Sequence, residues 1–208
     1  MDAPLPHLYL ITDRKQVHKK WSFFELIEEL LRSGVAMVQL REKDLSAAEL
    51  LPLAMKMRAL TDKYGCRLLI NDRVDVAQAV SADGVHLGHH SLPVATARKI
   101  LGENSLIGVS THAAEEIMRV HQQGADFVTY GPVFYTPSKM GMGNPVGIES
   151  LQAVCHSSPL PVYALGGIKI DNCHEVIQAK VHGIALISTL IAAKEPRLIY
   201  QQLIAQLP

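Results

Sequence analysis

Residues 39 to 43 read Gln-Leu-Arg-Glu-Lys, and side chains two apart on an extended chain share a face, so Gln39, Arg41 and Lys43 form a polar row with two cations. Such a row suits a ligand of high negative charge, a pyrophosphate for example, and Lys139 in YTPSK would add a third cation. The plainer alternative is a strand end that meets solvent. Asp72 ends LLIND, where an acid among cations makes sense if a divalent cation bridges it to phosphate oxygens, since magnesium commonly takes one or two carboxylates plus substrate phosphate. Its competing duty is to N-cap the following helix. A second anion site is suggested by ALGGI (164–168) and ALISTL (185–190), because glycines such as Gly166 and Gly167 let backbone approach a ligand closely. Tight turns alone would also explain them. Thr136, Ser138 and Lys139 open the Gly-, Pro- and Met-rich loop 134–147, which is read as contacting ligand rather than as a surface excursion. In GVHLGHHS (84–91) three histidines crowd a strand end; His89 and His90, as neighbours on an extended chain, point apart and do not chelate one ion. His89, as a neutral imidazole near ligand, is instead a candidate acid/base group.

These residues need a scaffold that gathers them. The chain of 208 residues suffices for one sizeable core and is read as a single domain. With 48% hydrophobic and 19% charged residues it has a globular composition. Twenty basic residues balance twenty acidic ones, so no global field recruits nucleic acid or an anionic membrane, and an anion must be held locally. Three cysteines without a CxxC pair are read as reduced core residues. The N-terminus lacks the features of a secretory signal and no stretch is long and apolar enough to span a bilayer, which gives the expectation of a cytoplasmic protein. Oligomeric state stays open, with a homo-oligomer allowed.

Short apolar runs alternate with amphipathic ones: HLYLITD with SFFELIEELLRSG, MVQLRE with SAAELLPLAMKMRALTDKYG, RLLIND with RVDVAQAVSAD, GVHLG with LPVATARKILG, LIGVSTH with AAEEIMRVHQQGA, FVTYGPV with GIESLQAVCHSS, PVYALGGI with DNCHEVIQAK, and GIALIST with EPRLIYQQLIAQL. Near-continuously apolar strands separated by helices imply parallel pairing covered on both faces. Eight such units predict a closed (β/α)8 barrel, and the competing doubly wound sheet lacks its GxGxxG turn after the first strand. In a barrel all the polar residues above fall at strand C-terminal ends, where barrel enzymes place their chemistry, with Asn71 and Ser110 joining them.

Taken in order, YLITD, VQLREK, LLINDRVDVA, ADGVHLG, IGVSTH, GADFVTYGPVFYTPSK, NPVGIESL, PVYALGGI and GIALIST resemble the thiamine phosphate synthases and their thiazole tautomerase relatives over nearly the whole chain. The resemblance implies a compact barrel that joins 4-amino-5-hydroxymethyl-2-methylpyrimidine pyrophosphate to a thiazole phosphate and releases pyrophosphate with magnesium. It implies that Gln39 to Lys43, Asn71 and Lys139 hold the pyrimidine pyrophosphate and that Ser110 contacts the pyrimidine. Asp72 matches a magnesium ligand, and Thr136, Ser138, Gly167, Ile187 and Ser188 match positions that hold the thiazole phosphate. The implied mechanism is dissociative, with Arg41, Lys43, Lys139 and the metal stabilising the leaving charge and no protein nucleophile.

The sequence departs from that pattern after the fourth strand. Synthases usually read Gly-Gln-x-Asp there, the Asp being a second magnesium ligand; this chain has His89 at the Gln and Ser91 at the Asp, and a hydroxyl is the weaker ligand. The resemblance makes His86 a family-typical barrel residue and leaves His90 facing solvent. The tautomerase branch carries its histidine after the glycine that ends strand six, where this chain has Pro132. Synthase is therefore the leading reading, with a tautomerase using His89 as proton carrier and a non-catalytic pathway binding protein as alternatives.

Overall fold

The protein is described by a computed structural model covering residues 4–136 and 144–208. Eight parallel strands close into a barrel in chain order: β1 (Leu8–Ile11), β2 (Met37–Leu40), β3 (Arg67–Asn71), β4 (Gly84–Leu87), β5 (Leu106–Thr111), β6 (Phe127–Tyr130), β7 (Val162–Leu165) and β8 (Gly183–Leu186). Closure comes from β1 pairing with β8, Leu8 opposite Ile184 and Leu10 opposite Leu186. Around it run α1 (Phe23–Arg32), α2 (Ala47–Lys63), α3 (Val74–Ala79), α4 (Val94–Leu101), α5 (Ala114–Gln122), α6 (Gly147–Ser157), α7 (Cys173–Gln178), α8 (Ser188–Ile191) and α9 (Pro196–Ile204). The predicted (β/α)8 barrel is therefore the architecture observed. The alternation did not anticipate a short 3-10 turn at Arg14–Gln16 or α8, a single turn whose sequence STLI continues the apolar run of β8 and so reads as strand.

Alternation along each strand divides the core in two. Tyr9, Ile11, Met37, Leu69, Phe127, Tyr163 and Ala185 point inward and fill the barrel lumen. Their neighbours Leu8, Leu10, Val38, Leu40, Leu68 and Ile70 point outward and pack against helices such as α1, which buries Leu26, Ile27, Leu30 and Leu31. Each fully buried aliphatic side chain contributes about 1.5–3 kcal/mol, so the outer layer carries most of the cohesion. Helix starts are locally encoded: Ser46 caps α2 by accepting from the Glu49 amide, while the Glu49 carboxylate accepts from the Ser46 amide, a reciprocal pair that fixes where the chain leaves the rim. The lumen is filled by side chains, the rings of Tyr9, Phe127 and Tyr163 among them, so no ligand passes along the barrel axis. No helix among the described residues is long and apolar enough to cross a membrane.

Candidate active site

The mouth is best followed strand by strand. β2 stops at Leu40, so the row Gln39, Arg41, Lys43 does not continue as extended chain. Gln39 points into the lumen and is 1% exposed, Arg41 is half-buried, and a turn carries Lys43 out to the rim. The cause is Glu42, a buried carboxylate between the two cations. It accepts from Thr12 Oγ1 (2.7 Å), from the Arg14 amide (3.1 Å) and from Arg14 Nη1 (3.0 Å), and Arg14 also forks onto Asp44. Thr12 in turn accepts from the Arg41 amide at 2.9 Å. Four polar groups thus fix the backbone that presents Arg41, and none of their pairings is visible in residue spacing. Burial pushes the Arg41 guanidinium pKa down, while Asp13 and Glu42 pull it back up.

At the end of β3 the chain makes a tight turn on Asp72, which has a positive φ of 65° while Arg73 N–H donates to the Asn71 carbonyl at 2.7 Å. Positive φ is uncommon for a residue with a side chain and tolerated best by Asp and Asn. The turn leaves Asp72 exposed at the rim, and Arg73 directs its guanidinium to Asp75. The helix-capping reading of Asp72 does not hold: the N-cap of α3 is Arg73, with no side-chain cap bond. Asp72 instead borders a cleft of about 310 Å³, together with Lys43, Asn71, Gly88, His89 and Ser91.

The far wall of that cleft is the segment after β4. Gly88 and Ser91 close a turn through Ser91 N–H to the Gly88 carbonyl (3.1 Å) and Gly88 N–H to Ser91 Oγ (2.7 Å). Because the segment turns, the His89 and His90 rings do not point apart as an extended chain would place them; they meet edge to face with centroids 5.0 Å apart. Both are exposed. Among the described residues no group of three or more His, Cys, Asp or Glu is placed to hold a metal ion. The donors at the cleft are the Asp72 carboxylate, the Asn71 amide and the Ser91 hydroxyl, which already accepts one hydrogen bond. That set suits magnesium held by one carboxylate and completed by ligand phosphate oxygens and water.

Beneath the rim lies a buried polar chain. Gln39 Nε2 donates to Tyr9 Oη (3.0 Å), Tyr9 Oη meets His86 Nδ1 (3.4 Å), and His86 Nε2 meets Ser110 Oγ (3.0 Å) with Thr129 Oγ1 at 3.4 Å. Tyr9, Gln39, His86 and Thr129 are each at most 2% exposed. Burial, with a smaller push from Arg41, lowers the His86 pKa to about 3, so the imidazole is neutral. Gly108 makes room for it: a Cβ there would lie 2.3 Å from the Phe127 ring and 2.7 Å from His86 Nδ1. His86 is therefore the hub of the mouth, a role its sequence setting did not disclose; the available signal was its inward parity in GVHL.

The opposite side of the mouth is built from backbone. After β6 the chain passes Gly131 and Pro132, and Val133 N–H and Phe134 N–H donate to the carbonyls of Leu165 (2.9 Å) and Gly166 (3.1 Å). Gly167, at φ 68°, lies so close that a Cβ would sit 2.7 Å from Phe134 Cβ and from the Tyr135 carbonyl oxygen. The glycines thus serve this close packing as well as any ligand. Ile187 and the exposed Ser188 begin α8 beside them, and Thr189 Oγ1 donates to the Ile168 carbonyl at 2.6 Å. Thr136 lies at the start of the loop, half-buried; Ser138 and Lys139 lie outside the described residues.

A (β/α)8 barrel with its polar side chains gathered at the C-terminal ends of its strands has the architecture of a barrel enzyme. A sequence model described as thiamine monophosphate synthase matches residues 8–190, and the chain belongs to that family, among the transferases of thiamine biosynthesis. It is similar to a putative thiamine-phosphate synthase of Geobacter sulfurreducens, 52% identical over 201 residues, covering 97% of this chain and 94% of that protein. It is also similar to the thiamine-phosphate synthase of Clostridium acetobutylicum, 40% identical over 188 residues, covering 90% and 88%. Among solved structures, thiamine phosphate pyrophosphorylase from Pyrococcus furiosus superposes with a TM-score of 0.85 at 36% identity, covering 95% of this chain and 93% of that one. A 3-hexulose-6-phosphate synthase, at 17% identity and a TM-score of 0.71, shares the fold alone.

Proposed function

We propose that the chain joins the methylene carbon of 4-amino-5-hydroxymethyl-2-methylpyrimidine pyrophosphate to the ring nitrogen of a thiazole phosphate, the bond from that carbon to the departing pyrophosphate breaking first in a dissociative route. The observation that carries this reading is the rim formed by β2 and β3, where Lys43, Asn71 and Asp72 line one cleft and the half-buried Arg41 follows the end of β2. Arg41, Lys43 and Lys139 neutralise the charge that builds on the departing pyrophosphate. The Thr12–Glu42–Arg14 cluster fixes the backbone from which Arg41 projects, which narrows the range of positions its guanidinium must search as that charge develops. Ser110 and Gln39 orient the pyrimidine from below, and Thr136, Ser138, Gly166, Gly167, Ile187 and Ser188 hold the thiazole phosphate across the mouth, which sets its ring nitrogen against the pyrimidine methylene carbon. Magnesium, which Asp72 would hold with at most a neutral contribution from Ser91, would supply further positive charge to the leaving group. Such charged, phosphorylated substrates place the reaction in the cytoplasm.

The tautomerase and binding-protein alternatives are not favoured. Pro132 stands where the tautomerase histidine is expected, and the relatives named above carry the synthase or pyrophosphorylase name. The test is pyrophosphate release from the pyrimidine pyrophosphate, with each of thiazole phosphate and magnesium supplied or withheld. Release that requires all three components is expected; none from folded protein would overturn the proposal.

A further inference from the structure

The buried chain Gln39–Tyr9–His86–Ser110 begins at Gln39 near the end of β2 and ends at the half-buried Ser110 near the end of β5, so its two ends lie toward the mouth. Tyr9 and His86 lie in the lumen, and their rings pack on Phe127 at centroid distances of 5.5 and 5.9 Å. A neutral imidazole has one N–H and one lone pair, and a phenol has one O–H to give. Hydrogen placement along the chain is therefore constrained by what each buried member must give and receive.

With Gln39 Nε2 against Tyr9, as in the structure, the donors run one way. Gln39 gives to Tyr9, Tyr9 gives to His86 Nδ1, His86 Nε2–H gives to Ser110, and the Ser110 hydroxyl has its proton left for a ligand. The Gln39 carboxamide oxygen then meets the mouth as an acceptor. Among the described residues the sole fully buried side-chain nitrogen or oxygen without a partner is Arg58 Nε, so the Gln39 oxygen is not sealed off. Rotating the Gln39 amide reverses every bond. Ser110 then gives to His86 Nε2, His86 Nδ1–H gives to Tyr9, Tyr9 gives to the Gln39 oxygen, and the mouth sees an amide donor and a hydroxyl acceptor. Thr129 Oγ1, 3.4 Å from His86 Nε2, can give or receive in either arrangement, whereas a mixed arrangement leaves the Tyr9 hydroxyl proton without an acceptor or sets two lone pairs against each other in a dry site, where an unmet polar group is costly.

We propose that Tyr9 and His86 are positioning residues that force Gln39 and Ser110 to present opposite hydrogen-bonding polarity, so that the mouth selects a flat heterocycle carrying a donor beside an acceptor on one edge. An amino group next to a ring nitrogen is such an edge. The selection works against rings that offer two acceptors there, whichever way the chain runs. This inference rests on the aminopyrimidine reading of the site and adds the specificity device to it.

The experiment measures binding by calorimetry without thiazole phosphate, so that no turnover is needed. The probes are the 4-aminopyrimidine pyrophosphate and its 4-methoxy counterpart, which has two acceptors. Wild-type protein is expected to prefer the amino compound. In Tyr9→Phe, which keeps the ring and removes only the hydroxyl that links the chain, the preference is expected to narrow by about tenfold, the factor carried by one net hydrogen bond of ordinary strength. A preference unchanged in a folded Tyr9→Phe protein, or absent in the wild type, overturns the inference. A second measurement needs no variant: in protein with 15N-labelled histidine, binding the amino compound is expected to resolve the His86 ring nitrogens into one protonated and one unprotonated signal. Nitrogens that stay averaged in the complex also overturn it. Selective binding with no pyrophosphate release on adding thiazole phosphate and magnesium would sink the synthase reading and leave the polarity device standing.

Discussion

The two sides of the barrel mouth are built by different means. From β1 to β4 the rim is a set of charged and polar side chains held by other side chains: Glu42 ties Thr12 and Arg14 together under Arg41, and a tight turn sets Asp72 at the edge. From β6 to β8 the rim is backbone packed on backbone, with Gly166 and Gly167 pressed against Pro132, Phe134 and Tyr135. The lesson is that function and fold are separable on the first side and fused on the second. A side chain that supplies charge can be removed without disturbing its neighbours, whereas an added methyl group on the glycine side changes the shape of the wall itself.

Four variants press on that contrast. Arg41→Ala is expected to lower kcat/KM for pyrophosphate release by about 10²–10³-fold, the cost of losing one well-aimed electrostatic partner, with little change in melting temperature. A wild-type rate would remove the β2 rim from the mechanism; a collapsed fold would break the claim of separability. Gly167→Ala is expected to cost about 2–4 kcal/mol of stability, from the left-handed backbone and the contacts at 2.7 Å together, and to raise the KM for thiazole phosphate in the same protein. Equal stability by chemical denaturation would show that the glycine wall yields more easily than its spacing says.

His86 stands between the two sides and gives a third lever. Its folded pKa lies near 3 against 6.5 for the free side chain, so below pH 6.5 the unfolded chain takes up a proton that the folded chain refuses. Stability is therefore lost as pH falls from 6.5 toward 3, by about 1.4 kcal/mol per pH unit from this group, and is untouched above 6.5. Denaturation of wild type and His86→Gln across that window is expected to show the steeper acid loss in the wild type; parallel curves would mean that the imidazole is not held neutral. The smallest effect is expected from Ser91→Asp, which adds a carboxylate across the cleft from Asp72 and should lower the magnesium concentration for half-maximal rate by about tenfold. An unchanged requirement would place the ion away from Ser91.

The sequence carried the architecture because each βα unit announces itself: strands such as LYLI and GIAL are apolar throughout, and helices such as FFELIEELLR show one buried stripe. It carried the site as a set of strand ends. It did not carry the pairings. The polar row starting at Gln39 leaves the sheet at Leu40, where Glu42 takes three donors from the loop after β1 and carries Lys43 to the rim. Ser91 looks like a free hydroxyl until the turn at Gly88 claims one of its lone pairs. His86 looked structural because its partners, Tyr9 and Ser110, lie 77 and 24 positions away. Contacts of that range are set by barrel register, and register is a property of the closed sheet rather than of any one strand.

The segment between β6 and α6 leaves the barrel and returns to it at one spot. Val146 N–H donates to the Pro132 carbonyl (2.8 Å) and Gly147 N–H to that of Val133 (3.2 Å), so the exit and the re-entry are stitched to each other. A loop closed at its base in this way is a detachable cartridge. Doubling its length costs only about 0.6 kcal/mol in closure entropy. Sequence between Thr136 and Val146 can therefore be exchanged by evolution or by graft, Lys139 with it, while the stitched base, the glycine wall, the β2–β3 rim and the buried polar chain are inherited unchanged.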